Sequence, residues 1–321
     1  MEISEWIQKY GNVQCLMRSV NTEALHDMNK KLVASDTKGV HTKDGRAFRA
    51  RFDKNAEELI EQIKNRSYRP SFVRPILIPS KGCETRMTYP RPPYKDILVR
   101  RVMATLLNDV YQPLFLSCAF GYWPQNRYHD CVYCIKCALK ECESGLWLVE
   151  GHINDLLHTM NLDTLLDRIF SVIKDRHFLL YVRRFVSAGT LEYENMLPPR
   201  LRNEKKEFFF PILSNIYLHY ALDSWFMHTL LPRAQGFVRP VRYKDAFLVI
   251  CEKEEEAKHI LPSLRKHLAK FSLAVDKKIT RVFRVGPATE TYAENTDPFE
   301  FMGTTFTTKH RYRKKTAESR A

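Results

Sequence analysis

Phe237-Val238-Arg239-Pro240-Val241-Arg242-Tyr243-Lys244-Asp245-Ala246-Phe247-Leu248-Val249-Ile250-Cys251 is the stretch that decides the fold. Phe237 to Tyr243 and Ala246 to Cys251, the second a short apolar run rich in β-formers, both read as strands. Only Lys244-Asp245 separates them, which predicts a tight hairpin although no glycine eases the turn. Upstream, Leu146 to Ile153 has the apolar character of a buried strand. Asn161 can cap a helix running to about Asp175, His177 to Ser187 reads as another, and Pro211 to Leu231 repeats apolar residues at helical spacing. Downstream, a helix from Glu254 to Lys270 precedes extended pieces at Leu273 to Val275 and Thr280 to Val285. Strand, helices, hairpin, helix, strand is the order of a split β-α-β arrangement. It predicts an α+β fold with an RRM-like antiparallel sheet and helices on one face.

The N-terminal half is more helical. Thr22 to Leu32 reads as a helix and Ser35 to Arg46 as loop. Asn55 with Glu58 has the form of a capping box for a helix ending near Lys64. Val73 to Pro79, the turn Ser80-Lys81-Gly82-Cys83 and a second extended piece ending at Pro90 make a basic hairpin. A helix from Pro93 to Tyr111 follows, with Pro92 and Pro93 at its entrance and Pro113 beyond its end.

Lys and Arg number 51 against 37 acidic residues in a chain of 321, a net charge of +14 and a pI near 9.4. Such an excess favours a polyanionic partner through phosphate contacts, the competing reading being a solvated basic surface. No apolar run approaches the ~18 residues a bilayer span requires, and the acidic start Met1-Glu2-Ile3-Ser4-Glu5-Trp6 lacks a secretory pattern. The expectation is a cytoplasmic protein without a membrane partner. Its eight cysteines read as reduced thiols. Cys131, Cys134, Cys137 and Cys142 come near an iron–sulfur spacing, but the last interval is wrong and no proline follows. On a helix from His129 to Glu143 the thiols share a face and serve as core residues, with zinc or a cluster as the competing reading.

Several segments, in order, resemble the group II intron reverse transcriptase and maturase family. Tyr68-Arg69-Pro70-Ser71 and Arg74-Pro75-Ile76-Leu77-Ile78-Pro79-Ser80-Lys81-Gly82 are similar to that family's fingers entrance, and Lys95-Asp96 to the start of its next helix. Tyr111-Gln112-Pro113 and Phe120-Gly121-Tyr122-Trp123-Pro124 follow. Pro211-Ile212-Leu213-Ser214-Asn215-Ile216-Tyr217-Leu218-His219, Val241-Arg242-Tyr243-Lys244-Asp245-Ala246-Phe247 and Phe299-Glu300-Phe301-Met302-Gly303 carry it to the end of the palm. The resemblance implies polymerase-type fingers and palm. It suggests an N-terminal helical extension over 1–53, fingers over 54–145, palm over 146–306 and a basic tail over 307–321, with no thumb or maturase domain. In the tail, Lys309 to Lys315 has six basic residues in seven, counting His310.

Departures from the family's pattern bear on chemistry. Two-metal nucleotidyl transfer needs carboxylates that hold paired divalent ions. Where the resemblance places three of them, this chain has His152, Asp245 and Ala246. Asp245 is the one retained candidate ligand, with Lys244 beside it. The plainer readings are a turn carboxylate paired with Lys244 or solvent, and a satisfied buried imidazole at His152. Neither Glu150 nor Asp155 stands at a matching strand position. The family's glycine-containing Pro-Gln-Gly-Gly loop corresponds to Glu204-Lys205-Lys206-Glu207, which cannot offer the backbone approach that glycine allows. Leu156 and Leu157 stand where the family carries aromatics.

The resemblance places Arg86 where the family carries an arginine that meets the incoming triphosphate. Arg69, Arg74, Lys81, Arg86 and Lys95 are candidate nucleic-acid contacts. Arg66, Arg91, Arg100 and Arg101 lie nearby, and Tyr68, Tyr89 and Tyr94 are interspersed as possible stacking rings. The combined expectation is a catalytically inactive reverse transcriptase-like protein that binds structured RNA, a group II intron RNA or an RNA–DNA hybrid. No cofactor is expected, or Mg2+ if polymerase activity remains. Two alternatives stay open: a divergent active RNA-directed DNA polymerase, and a decayed remnant or protein-interaction scaffold.

Overall fold

A computed structural model describes residues 3–35, 40–73, 76–79, 85–88, 91–122, 128–141, 145–191, 194, 209–286 and 298–307. The chain forms two compact units, Met1–Leu114 with Leu162–Ile216, and Phe115–Asn161 with Tyr217–Ala321. It passes between them three times, so neither unit coincides with one continuous segment such as 54–145 or 146–306.

The first unit is mainly helical. Thr22–Ala34 is capped by Asn21, whose side chain accepts from Ala24 N at 2.9 Å. Ser35 to Arg46 is not wholly loop, because Thr42 accepts from Gly45 N and starts a helix at Lys43–Ala50. Asn55 is not a helix cap either. The helix begins at Phe52 and runs to Lys64, and the Asn55 amide instead donates to Phe48 O at 2.8 Å. The Tyr94–Tyr111 helix buries Leu98, Val99, Met103 and Leu107, with Asp44 of the Lys43–Ala50 helix accepting from Tyr94 N. The Arg176–Ser187 helix is capped by Asp175, which also accepts from Met17 N. Strands β1 (Ile76–Pro79) and β2 (Thr85–Thr88) pair antiparallel as the expected basic hairpin, with Ile78 opposite Arg86.

The second unit is built on a five-stranded sheet. Its strands are β3 (Ala119–Phe120), β4 (Leu146–His152), β5 (Val238–Tyr243), β6 (Ala246–Cys251) and β7 (Arg281–Val285), in the order β3-β5-β6-β4-β7. The four long strands pair antiparallel, as expected. β3 makes the sheet mixed, for it pairs parallel to β5 through Arg242 N to Cys118 O and Lys244 N to Phe120 O. Leu273 to Val275 is not a strand, since Val275 makes only a single bridge, to Ile153.

Helices on one face alone is also overturned. Phe247 to Cys251 are all fully buried, so both faces of β6 are covered. Leu248 and Ile250 pack with Cys131 and Ile135 of the Tyr128–Ala138 helix. Alternation turns Phe247 to the opposite face, where its ring lies 5.9 Å from Phe226. Phe226 belongs to the run at Pro211 to Leu231, where an α-helix, Phe209–Leu218, gives way to π-helical turns at His219–Asp223 and Phe226–Leu230. The Glu254–Leu268 helix contributes Ile260 and Leu264 to the buried set. Phe299–Phe301 (β8) and Thr304–Phe306 (β9) form a hairpin whose turn, Met302-Gly303, has both residues at positive φ. The Phe299 and Phe306 rings stack at 5.3 Å. Among the described residues no helix is long and apolar enough to cross a membrane.

Candidate functional site

The β5–β6 turn puts Lys244 and Asp245 at the tip of the hairpin, with Lys244 in the left-handed region at φ 57°. β4 runs beside β6 with His152 opposite Ala246, and Ile153 N donates to Asp245 O at 2.8 Å. The strand end and the hairpin tip are thereby joined. His152 Nε2 meets Asp245 Oδ2 at 3.3 Å, both side chains about one-third exposed. The pairing differs from both sequence readings: Asp245 is not turned to Lys244, and His152 is only half-buried.

The hydrogen bond to Asp245 lifts the His152 imidazole above its ordinary value against the effect of burial, with the charges of Asp245 and Asp276 adding to the rise. Burial pushes the Asp245 carboxyl up, but the His152 hydrogen bond and charge, with smaller help from its own backbone and Lys244, bring it below the usual range. Asp276 escaped the sequence reading. Its amide donates to His152 O at 2.8 Å, and nothing in the local sequence marks it as a neighbour of the hairpin.

The turn rests on a buried ion pair. Arg242 Nε and Nη2 reach the two carboxylate oxygens of Asp223 at 2.5 and 2.6 Å, and Nη1 donates to Lys244 O at 2.9 Å. Both side chains are fully buried. The fork geometry of guanidinium on carboxylate holds the carbonyl of the turn in place. Two glycines make room. A Cβ on Gly121, at φ 70°, would stand 2.8 Å from Lys244 Cγ, and one on Gly151 would stand 2.3 Å from the Phe247 ring. Phe120-Gly121-Tyr122 therefore needs its glycine to pass the hairpin tip.

The remaining acidic candidates are held elsewhere. Glu150 accepts from Arg281 Nε at 2.8 Å, and Asp155 pairs with His158 at 2.7 Å. Magnesium prefers several hard oxygen donors in a regular octahedron. A single carboxylate bound to an imidazole beside an ammonium does not fit that demand. Among the described residues no three His, Cys, Asp or Glu side chains form a metal-holding group. Cys131 is fully buried, and burial, then Cys134, pushes its thiol up to about 12. Cys134 and Cys137 are half-buried, and Cys142 lies outside the described residues.

The basic candidates divide. Arg69 is exposed and Lys95 half-buried, its ammonium 6.0 Å from the Tyr68 ring. Arg74 and Lys81 lie outside the described residues, and for Arg86 only the strand backbone is described. Tyr68 and Tyr94 are not stacking rings. Both are buried, Tyr68 donating to Asp96 at 2.5 Å and Tyr94 to Asn29 at 2.7 Å. Tyr89 lies outside the described residues. Arg100 is buried against Glu194 at 3.2 Å and unsuited to phosphate contact. Asp96, whose other oxygen accepts from Ser71 N, explains in structural terms why Tyr68 to Ser71 and Lys95-Asp96 occur together.

No family model matches the chain. It is 28% identical to the group II intron-encoded protein LtrA of Lactococcus lactis over 193 residues, 60% of this chain and 31% of that protein. An uncharacterised 91 kDa protein in the cob intron of Schizosaccharomyces pombe is 28% identical over 170 residues, 53% of this chain and 20% of its own length. Protein YkfC of Escherichia coli is 20% identical across 77% of this chain and 68% of its own. The chain thus spans less than a third of the first two relatives. Across about 60% of its length the chain is similar to a group II intron-encoded protein.

Proposed function

We propose that this chain is a reverse transcriptase-like protein that binds RNA and does not polymerise. The observation that carries the reading is the His152–Asp245 pair at the tip of the β5–β6 hairpin. Polymerase chemistry requires carboxylates free to hold two cations against the attacking and leaving oxygens. Here the one candidate carboxylate is bound to a side chain that repels cations when protonated. Ala246 offers no oxygen donor from its side chain, and Lys244 opposes metal charge. The net charge of +14 supports a phosphate-rich partner. The relationship to an intron-encoded protein makes a group II intron RNA or an RNA–DNA hybrid the first candidates. A soluble, cytoplasmic setting suits this reading.

Two measurements test it. Manganese titrated into the protein and followed by electron paramagnetic resonance should stay free at concentrations near 1 mM, and saturable uptake that Asp245→Asn abolishes would contradict the inactive palm. RNA affinity should fall steeply from 50 to 300 mM salt, whereas a flat response would refute phosphate-driven binding.

A further inference from the structure

The first unit brings Arg184 against the distant segment that carries Arg66 and Arg69. Residues 66–73 run along the Arg176–Ser187 helix and are tied to its end by Val73 N donating to Ala188 O at 2.7 Å. Arg184 Nη1 donates to both Arg66 O and Tyr68 O, at 3.0 and 2.8 Å. Arg69 Nη1 donates to the same Arg66 O at 2.9 Å. Arg66 itself sits in the left-handed region at φ 58°, which turns the chain out of the Phe52–Lys64 helix. All three charges act on the Tyr181 hydroxyl, the Arg184 guanidinium lying 4.9 Å from that ring.

Among the described residues none of the three pairs with a carboxylate, whereas the neighbouring Arg183 is held by Asp163 at 2.5 Å. Arg69 and Arg184, drawn together on the Arg66 carbonyl, repel one another unless an anion lies between them. Each guanidinium also keeps donors beyond those used on the carbonyls. In the same 66–73 segment Phe72 is 67% exposed, a large apolar ring at the surface.

From this we infer that Arg66, Arg69 and Arg184 form a phosphodiester site for an unpaired stretch of RNA, with Phe72 as the ring on which a base stacks. The inference rests on the RNA-binding reading above and gives it a place. Cations neutralise adjacent phosphates, and an aromatic face beside them accepts any base. Arg184 reaches the site from a helix 116 residues away from Tyr68 in sequence.

The experiment measures binding of a fluorescently labelled 12-nucleotide oligouridine by anisotropy, from 50 to 300 mM salt. The full chain is compared with Arg66→Gln, Arg69→Gln and Arg184→Gln combined, and separately with Phe72→Ala. The triple variant should bind at least tenfold more weakly and lose about 0.7 of the salt slope for each contact removed. Phe72→Ala should weaken binding roughly tenfold while leaving the slope unchanged, because stacking releases no counterions. On a blunt RNA duplex, where no base is free, Phe72→Ala should behave as the parent.

Oligodeoxythymidine in parallel separates the shared phosphodiester from the ribose, and equal binding of both supports a backbone site. Circular dichroism confirms that each variant folds, and Phe72→Ala keeps the test decisive should the triple variant fail. Parent-like affinity and slope in folded variants would overturn the site while leaving RNA binding intact. A parent that binds no RNA at 50 mM salt would overturn both.

Discussion

His152 and Asp245 hold one another at 3.3 Å, and the protonation of each decides how much that contact stabilises the fold. The imidazole is raised above its ordinary 6.5, so its contribution is complete below that pH and fades as pH rises through the higher folded value. The carboxyl is lowered below its ordinary 3.8, so its contribution is complete above that pH and fades as pH falls through the lower folded value. Stabilisation from the pair is therefore full between about pH 4 and 6.5. Asp245→Asn should lower the melting temperature most within that window and progressively less above pH 7, with Asp276 and Lys244 as the other charged groups in play. Partial exposure limits the effect to about 1 kcal/mol or less. A loss that grows between pH 7 and 9 would contradict the pairing.

The same scale shows what a linear reading misses. Tyr68 and Tyr94 stand among cations and invite a stacking role, yet their hydroxyls are taken by Asp96 and Asn29, residues 28 and 65 positions away. Distant partners of that kind leave no local signal. Phe72 and Arg184 were overlooked for the converse reason, since exposure and convergence are properties of the folded chain.

At the scale of elements, the β5–β6 hairpin was legible because two β-prone segments are separated by only two residues, Lys244-Asp245. The mixed sheet was not, because β3 has only two residues and is fixed by its neighbours rather than by propensity. The Phe52–Lys64 helix also begins earlier than its apparent capping box, so Asn55 lies inside it and its amide donates to Phe48 O. What stabilises the hairpin from beneath is the Arg242–Asp223 pair, invisible in a motif that names only Arg242. Asp223→Ala leaves a buried guanidinium without its partner and should cost about 3–5 kcal/mol in denaturant unfolding. A loss under about 1 kcal/mol would show that the pair is not the anchor assigned here. Gly151→Ala drives a methyl into the Phe247 ring and should cost roughly 1–3 kcal/mol. Phe247→Leu introduced with it should cost less than the sum of the two single changes. Simple additivity would mean that the ring does not set the requirement for glycine.

For the whole molecule, the order of motifs made the α+β architecture legible, but the division into units was not, because the chain crosses between them repeatedly. The loss of polymerase chemistry, as proposed, is distributed. His152→Asp with Ala246→Asp would place three carboxylates at the hairpin. Lys244 would still oppose cations there, and the Glu204-Lys205-Lys206-Glu207 stretch would still lack glycine. Groups that act as a catalytic unit are strongly non-additive, so little synthesis should return. The added carboxylates repel one another, and Mg2+ should raise the melting temperature of this double variant more than that of the parent. An equal rise in both would mean that the three carboxylates do not converge.

The most direct test is extension of a DNA primer annealed to an RNA template under single-turnover conditions, with protein in excess and binding of the template confirmed in the same samples. With 10 mM Mg2+ or 1 mM Mn2+ the parent is predicted to retain the primer–template and add no nucleotide. Template-directed products from the parent, lost in Asp245→Asn, would contradict the account and make this chain a polymerase.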